Sequence, residues 1–206
     1  MTLNQNKTER GFSILELLIA ITVTLIIMAA ATSLLATSLR TRTRENKRSE
    51  ALADAQRALS MMSREIGNSG YGLDGNGIAT LDSDTTSIRV RADLNNNLVL
   101  AVADIEADED VRYVFQTNNR TIVRYSPLPA ANPTTTVMAS DVTFMQLTYF
   151  DVNGLAITDA AEYAGTERVR VEIRVELPAT GGTPASIVGL VSDVALRNAP
   201  NTLQQF

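Results

Sequence analysis

The longest apolar stretch of the chain lies near its beginning. Between Phe12 and Leu39 every side chain is apolar, small or a hydroxyl, except Glu16. As an α-helix these 28 residues would extend roughly 42 Å, and about 20 such residues cross the hydrocarbon of a bilayer. A cleaved secretory signal has a much shorter apolar region. The pattern therefore predicts that residues 12–39 form a membrane-spanning helix.

The helical pattern continues beyond the apolar stretch. Residues 40–66 repeat apolar side chains at alternating spacings of three and four, which is typical of one face of an amphipathic helix. That stripe comprises Leu52, Ala55, Leu59, Met62 and Ile66. No proline precedes Pro127 and no glycine lies between Gly11 and Gly67, so we predict a single helix that ends near Ile66.

From Ser87 onward the apolar positions alternate with polar ones, which predicts β-strands with one buried face. The clearest alternations comprise Ile88, Val90 and Ala92, then Val111, Tyr113 and Phe115, then every second residue from Val169 to Leu177. The sequence "QTNNR" between Phe115 and Ile122 predicts a hairpin turn. Further strands are predicted at 97–103, 142–150 and 186–197. The segments 126–136 and 177–186, rich in Pro, Gly, Thr and Ala, are predicted to be surface loops.

These elements predict an α+β protein in which the outer half of a long N-terminal helix lies across one antiparallel sheet. The chain of 206 residues suits one domain with an appended membrane helix. The predicted organisation is a leader at 1–11, a transmembrane half-helix at 12–39, an amphipathic half-helix at 40–66 and a β-rich head at 67–206.

The composition excludes most enzyme classes. The chain has no Cys and no His, which removes thiol nucleophiles, imidazole acid–base catalysis and the usual zinc sites. A glycine-rich phosphate loop and a Gly-x-Ser-x-Gly motif are also absent from the sequence. The net charge of −5 argues against nucleic-acid binding. We expect a protein that is not an enzyme.

Several charged groups are candidate sites. The acidic run 104–110 could bind Ca²⁺, but it lacks the spacing of an EF-hand, and "LDGNG" (73–77) and "DLNNN" (93–97) match only its first positions. A solvated acidic loop with no cofactor is the favoured interpretation. The pair Arg64 and Glu65 and the Arg/Glu series at 168–176 are expected to lie on wet faces as charge ladders.

Glu16 is the remaining anomaly. A lone carboxylate in hydrocarbon costs several kcal/mol unless it is paired, and intramembrane acids are usually functional. The alternative is that Glu16 lies near the interface and reaches the headgroups without a partner.

The stretch "RGFSILELLIA" that contains this acid resembles the N-terminal signature of the type IV pilin superfamily, through Arg10, Gly11, Phe12 and Glu16. The resemblance implies that prepilin peptidase removes residues 1–11 and methylates the new amine of Phe12. It also implies that Glu16 of one subunit pairs with the Phe12 amine of another. Implied partners are the inner membrane, other major and minor pilins, and, indirectly, an inner-membrane platform protein and a cytoplasmic assembly ATPase.

Four later segments resemble the PilW-type minor pilins and the J-type minor pseudopilins of type II secretion. They are Arg57–Gly72, "EDVRYVFQTNNRTIVRYS", "LTYFDVNG" and Val194–Asn198. The absence of Cys departs from many PilW-type proteins, and the absence of a proline in the membrane half departs from major pilins. The function implied is a minor pilin that primes or caps a pilus. The alternatives are a J-type pseudopilin and a membrane-anchored binding module that never polymerises.

The basic run at 40–48 complicates the orientation. It carries more positive charge than Lys7 and Arg10 on the other flank, and the positive-inside rule would place the head in the cytoplasm. The resemblance implies instead a bacterial inner-membrane protein with its head in the periplasm, later moved into a pilus or pseudopilus. On that orientation the basic run is interpreted as a surface that meets acidic neighbours.

Overall fold

The computed structural model describes residues 11–95, 108–127, 133–179 and 184–199. It divides into two compact units, Met1–Arg44 and Glu45–Phe206. Helix α1 runs from Ile14 to Asn68 as one element. This confirms the predicted long helix, which ends two residues beyond the predicted Ile66.

The second unit adds eight strands to its share of α1. They are β1 (Ser87–Arg91), β2 (Asp110–Gln116), β3 (Thr121–Ser126), β4 (Thr134–Ala139), β5 (Val142–Phe150), β6 (Ala156–Ile157), β7 (Arg168–Leu177) and β8 (Ser186–Ala195). Short 3₁₀ turns lie at Thr80–Asp82 and Ala160–Gly165. All strand pairs are antiparallel, which confirms the α+β class.

The strands form two sheets, not the one sheet that was predicted. Their orders are β1-β2-β3-β4 and β6-β5-β7-β8. The chain leaves the first sheet at the end of β4 and enters the second within two residues, through Asp141 in the left-handed region (φ 58°). β5 is bonded to the segment just before β1, where the Tyr149 hydroxyl donates to the Asp84 carbonyl at 2.9 Å and the Leu147 amide to the Thr85 carbonyl at 2.8 Å.

The helix face that packs in the second unit follows the predicted stripe with two differences. Ala55, Met62 and Ile66 are fully buried, whereas Leu52 and Leu59 are only partly buried against the core. Ala51 and Ala58 are buried as well. Because alanine side chains are small, this face of α1 can approach the strands closely.

Most predicted strands are confirmed. β5 has the predicted limits, β8 ends two residues before the predicted limit, and Phe115 pairs with Ile122 beside the predicted hairpin turn. The strand predicted at 97–103 lies outside the described residues. The loop predicted at 126–136 was wrong at both ends, because Ser126 belongs to β3 and Thr134–Thr136 to β4. β4 is an edge strand whose first four residues, Thr134–Val137, are exposed and whose last two, Met138 and Ala139, are buried, so it shows no apolar alternation.

The loop after α1 ties the end of the helix to the 3₁₀ turn before β7 through Asn76. Its side-chain amide donates to the carbonyls of Tyr163 (2.8 Å) and Thr166 (3.2 Å), and its Oδ1 accepts from the Ile78 amide (3.1 Å). The hydroxyl of Ser69 donates to the Asn76 carbonyl at 2.8 Å. The segment "LDGNG", which was weighed as part of a cation loop, therefore uses Asn76 to connect elements of the head.

The charge ladder at 168–176 lies on a wet face, as predicted. Arg170 faces Asp193 across β7 and β8, and its guanidinium bonds the carboxylate with two contacts of 3.0 Å. Arg168 and Arg174 also cover the rings of Phe150 and Phe144, at 4.0 and 4.5 Å from the ring centroids. The ladder thus shields two aromatic rings of β5.

Candidate functional site

The predicted cleavage point lies just outside the helix. Gly11, Phe12 and Ser13 have no regular secondary structure, and α1 begins at Ile14. The Phe12 side chain is 81% exposed. A peptidase needs a stretch of backbone that is not locked in helical hydrogen bonds, and the Gly11–Phe12 bond meets this condition.

Ser13 caps the helix directly after that bond. Its hydroxyl accepts from the Leu15 amide at 3.3 Å and its carbonyl from the Leu17 amide at 3.1 Å. Ser13 and Glu16 have the spacing of a capping box, Ser-x-x-Glu. The sequence predictions overlooked this signal, which explains locally why the helix starts at Ile14.

Glu16 lies in the first turn of α1, where the partial positive charge of the helix N-terminus favours a carboxylate. In the part of the chain that the structure describes, this carboxylate makes no hydrogen bond or ion pair with another side chain. It is also the only ionisable side chain between Phe12 and Leu39. The predicted assembly residue is therefore available to a group from outside the chain.

The threonine hydroxyls of the same segment are satisfied within the helix. Thr22, Thr24, Thr32 and Thr37 donate to backbone carbonyls three or four residues earlier, at distances of 2.7–3.0 Å. Hydroxyls bonded in this way can lie in hydrocarbon at little cost. The helix is long and apolar enough to cross a membrane, and none of its most apolar window is buried within the chain.

Comparison with known families identifies this segment. Residues 6–32 match the model of the prokaryotic N-terminal methylation motif. The chain carries a type IV pilin-like prepilin signature. No curated protein matches the chain significantly.

The prepilin signature includes Gly11, Phe12 and Glu16, so the resemblance stated for "RGFSILELLIA" is confirmed. The matched motif ends at residue 32 and does not extend into the β-rich head. The roles of these three residues, and the narrower likeness to PilW-type pilins or J-type pseudopilins, stay predictions.

Near the end of α1, the structure corrects the expectation for Arg64 and Glu65. Arg64 is exposed, but the Glu65 side chain is only 18% exposed. Its carboxylate accepts from the Tyr113 hydroxyl at 2.7 Å and from Arg124 Nη2 at 3.0 Å. Glu65 flanks the buried stripe of α1 and faces the first sheet, so it is not part of a wet charge ladder.

Tyr113 and Arg124 complete this cluster from two neighbouring strands. Burial, followed by the negative charge of Glu65, raises the pKa of the Tyr113 hydroxyl well above its usual range. The phenol therefore stays protonated and acts as a donor. Arg124 also bonds Asp108 at 2.8 Å. A cleft of about 650 Å³ between α1 and the first sheet is lined in part by this cluster.

The described residues of the acidic run each have partners in the protein. Asp110 binds the guanidinium of Arg89 at 2.7 Å, Asp108 binds Arg124, and a Glu109 carboxylate oxygen accepts from the amides of Leu94 and Asn95. Within the described ranges no group of three acidic side chains is placed to hold a metal ion. Residues 104–107 lie outside those ranges, so the solvated acidic loop without a cofactor stays a prediction, with calcium binding as its alternative.

We expect Arg124→Met to destabilise the head by about 2 kcal/mol, because it leaves the largely buried Glu65 carboxylate without its cation. Arg64→Met is the matched control, since Arg64 is exposed and its loss should change the free energy of unfolding by less than about 0.5 kcal/mol. Urea unfolding of the full chain in detergent, followed by circular dichroism, measures both. Equal stability of the two variants would contradict the role of the cluster.

Proposed function

We propose that the protein is a minor type IV pilin of the PilW type. Prepilin peptidase cleaves it after Gly11, and its helix holds it in the bacterial inner membrane with the head in the periplasm. It then packs with major and other minor pilins to prime or cap a pilus. The observation that carries this proposal is the methylation motif at residues 6–32, on a segment whose cleavage point is exposed and non-helical.

Cleavage changes the electrostatics of the membrane segment. Hydrolysis of the Gly11–Phe12 bond leaves a carboxylate on the leader and a cationic amine on Phe12, and methylation preserves that positive charge. The Glu16 of a neighbouring subunit then has a cation at similar depth. An ion pair in hydrocarbon avoids most of the cost of each isolated charge, so this pair would favour packed helices over separate ones.

The proposal assigns no catalysis to the chain. The sequence contains no nucleotide-binding loop, so the free energy for assembly must come from a cytoplasmic ATPase that acts through an inner-membrane platform protein. Nucleic acid and cofactors have no role in the proposed function. The other pilin subunits are its direct partners.

Gly11→Val tests the processing step. A side chain at this position should block the close approach of the peptidase to the backbone. In the structure a Cβ on Gly11 meets no atom within 4 Å, so the fold should be unaffected. Intact-mass measurement of the membrane-extracted protein should show the wild-type chain starting at methylated Phe12 and the variant still carrying residues 1–11.

Ala29→Val is the control for this experiment, because it adds similar bulk on the exposed helix away from the cut. It should be processed normally. A wild-type protein that keeps its first eleven residues in its native host would instead indicate a membrane-anchored module that does not polymerise.

Deleting the gene tests whether the protein acts in a pilus or as a J-type pseudopilin. We expect loss of surface pili, restored by the wild-type gene. Normal piliation combined with loss of protein export would identify a J-type pseudopilin and contradict the pilus assignment.

A further inference from the structure

Three arginines follow the apolar stretch at alternate positions, Arg40, Arg42 and Arg44; we call them the arginine collar. Arg40 lies 28 residues after Phe12 on the sequence, which corresponds to roughly 42 Å of helix. A bilayer with both headgroup layers is about 40–45 Å thick. Glu16 lies 24 residues before Arg40, which corresponds to roughly 36 Å of helix. With Glu16 just inside a hydrocarbon layer of about 30 Å, the arginine collar lies among the headgroups of the opposite surface.

The collar points in more than one direction around α1. At about 100° per residue, Arg44 lies about 40° from Arg40, while Arg42 lies on the opposite side of the helix. A protein docked against one side of the helix could reach only part of this set. A leaflet of lipids, which surrounds the helix, can reach all of it.

The collar is also unengaged within the chain. All three arginines are exposed, and in the part of the chain that the structure describes none of them forms an ion pair. The hydroxyls between them are already used, because Thr41 donates to the Thr37 carbonyl at 3.1 Å and Thr43 to the Leu39 carbonyl at 3.0 Å. The guanidinium groups are therefore the polar groups that this part of the helix presents outward.

We propose that the arginine collar binds the phosphates of anionic phospholipids around the helix before the subunit is assembled. The planar guanidinium forms paired hydrogen bonds to phosphate oxygens. A basic residue beside an anionic leaflet contributes roughly a fivefold preference, which is about 1 kcal/mol. This inference rests on the proposed membrane span, but not on cleavage or on filament assembly.

The test uses the absence of tryptophan from the chain. Leu39→Trp, at an exposed position beside the collar, provides a single fluorophore. The full, uncleaved chain is reconstituted into vesicles with equal amounts of phosphatidylglycerol and phosphatidylcholine, and one of the two lipids is brominated at a time. We expect brominated phosphatidylglycerol to quench more strongly, with a relative association constant of about five or more.

Changing all three arginines to glutamine should bring that constant close to one, whereas changing all three to lysine should preserve most of it. Arg40→Gln and Arg42→Gln should each reduce it by a similar factor, because the lipids surround the helix. Arg64→Gln, which removes an exposed arginine near the other end of α1, should leave it unchanged. High salt should lower it, since exposed charges are screened.

If the two brominated lipids quench the tryptophan of a membrane-inserted chain equally, this inference is overturned, but the proposed membrane span is not. A preference that survives the triple glutamine change would also overturn this inference. If the chain shows no preference for phosphatidylglycerol but the triple glutamine variant fails to crosslink to other pilin subunits, the collar binds an acidic protein surface instead. A chain that carbonate washes off the vesicles would overturn the proposed membrane span, and this inference with it.

Discussion

Glu16→Ala should reduce incorporation of the subunit into filaments by about 100-fold or more. The proposed pair joins Glu16 to the Phe12 amine of a neighbour in a medium of low dielectric constant. There an unpaired charge costs several kcal/mol, and about 2.8 kcal/mol corresponds to a factor of 100 in an equilibrium. The variant chain loses this contribution and leaves the neighbour's amine without its partner.

The same change should not reduce the amount of protein in the membrane. Removing a carboxylate from an apolar helix makes insertion more favourable, so the unassembled variant should accumulate at or above the wild-type level. Immunoblots of membrane and sheared-filament fractions, together with counts of surface pili, measure the two quantities separately. Glu16→Gln should behave like Glu16→Ala, because it keeps the shape of the side chain but not its charge.

Glu50→Ala is the matched control, since it removes an exposed carboxylate from the same helix beyond the apolar stretch. We expect it to assemble normally. Wild-type incorporation of Glu16→Ala would mean that Glu16 reaches the headgroups without a partner, which is the alternative considered from the sequence.

Gly77→Ala is expected to lower the free energy of unfolding of the head by at least about 3 kcal/mol, which corresponds to a fall in melting temperature of about 10 °C. Gly77 has a φ of +75°, where a side chain is strained. A Cβ there would lie 2.2 Å from the Gly70 nitrogen and 2.3 Å from the Arg91 carbonyl oxygen. These two atoms form a hydrogen bond of 2.9 Å that links the loop after α1 to the end of β1.

Gly75→Ala provides the control two residues away. A Cβ at Gly75 meets nothing within 4 Å, and its φ is not in the left-handed region, so its melting temperature should change by at most a few degrees. Thermal unfolding of the full chain in detergent, followed by far-ultraviolet circular dichroism, compares the variants. A Gly77→Ala protein as stable as Gly75→Ala would show that this backbone contact can relax at little cost.

The sequence predicted the helix and most strands because their signals are periodic. The apolar stripe of α1 and the alternation along β7 can each be recognised from residues that are close together in the sequence. The buried residues of β7, which are Val169, Val171, Ile173, Val175 and Leu177, match the prediction. β4 was partly missed since its first four residues are exposed and its two buried residues, Met138 and Ala139, are adjacent, which gives no alternating pattern. The division into two sheets was missed because alternation identifies a strand but not its partner.

The candidate site in the membrane segment was predicted from contiguous residues. Gly11, Phe12 and Glu16 form a short motif, and its recognition required no knowledge of how distant parts of the chain meet. Glu65 shows the opposite case. Its partners Tyr113 and Arg124 are 48 and 59 residues away, so nothing near Glu65 in the sequence indicated that its carboxylate would be paired.

The sequence by itself determined the apolar segment, the isolated acid within it and the prepilin signature around the cleavage point. These features depend only on side-chain chemistry and on spacing along one helix, so they do not require contacts between distant parts of the chain. The tertiary structure decided the separation into two sheets, the burial of Glu65 against Tyr113 and Arg124, and the use of Asn76 to join the helix end to the 3₁₀ turn before β7. Each of these depends on which distant groups are brought within hydrogen-bonding distance, and that is set by packing of the whole head.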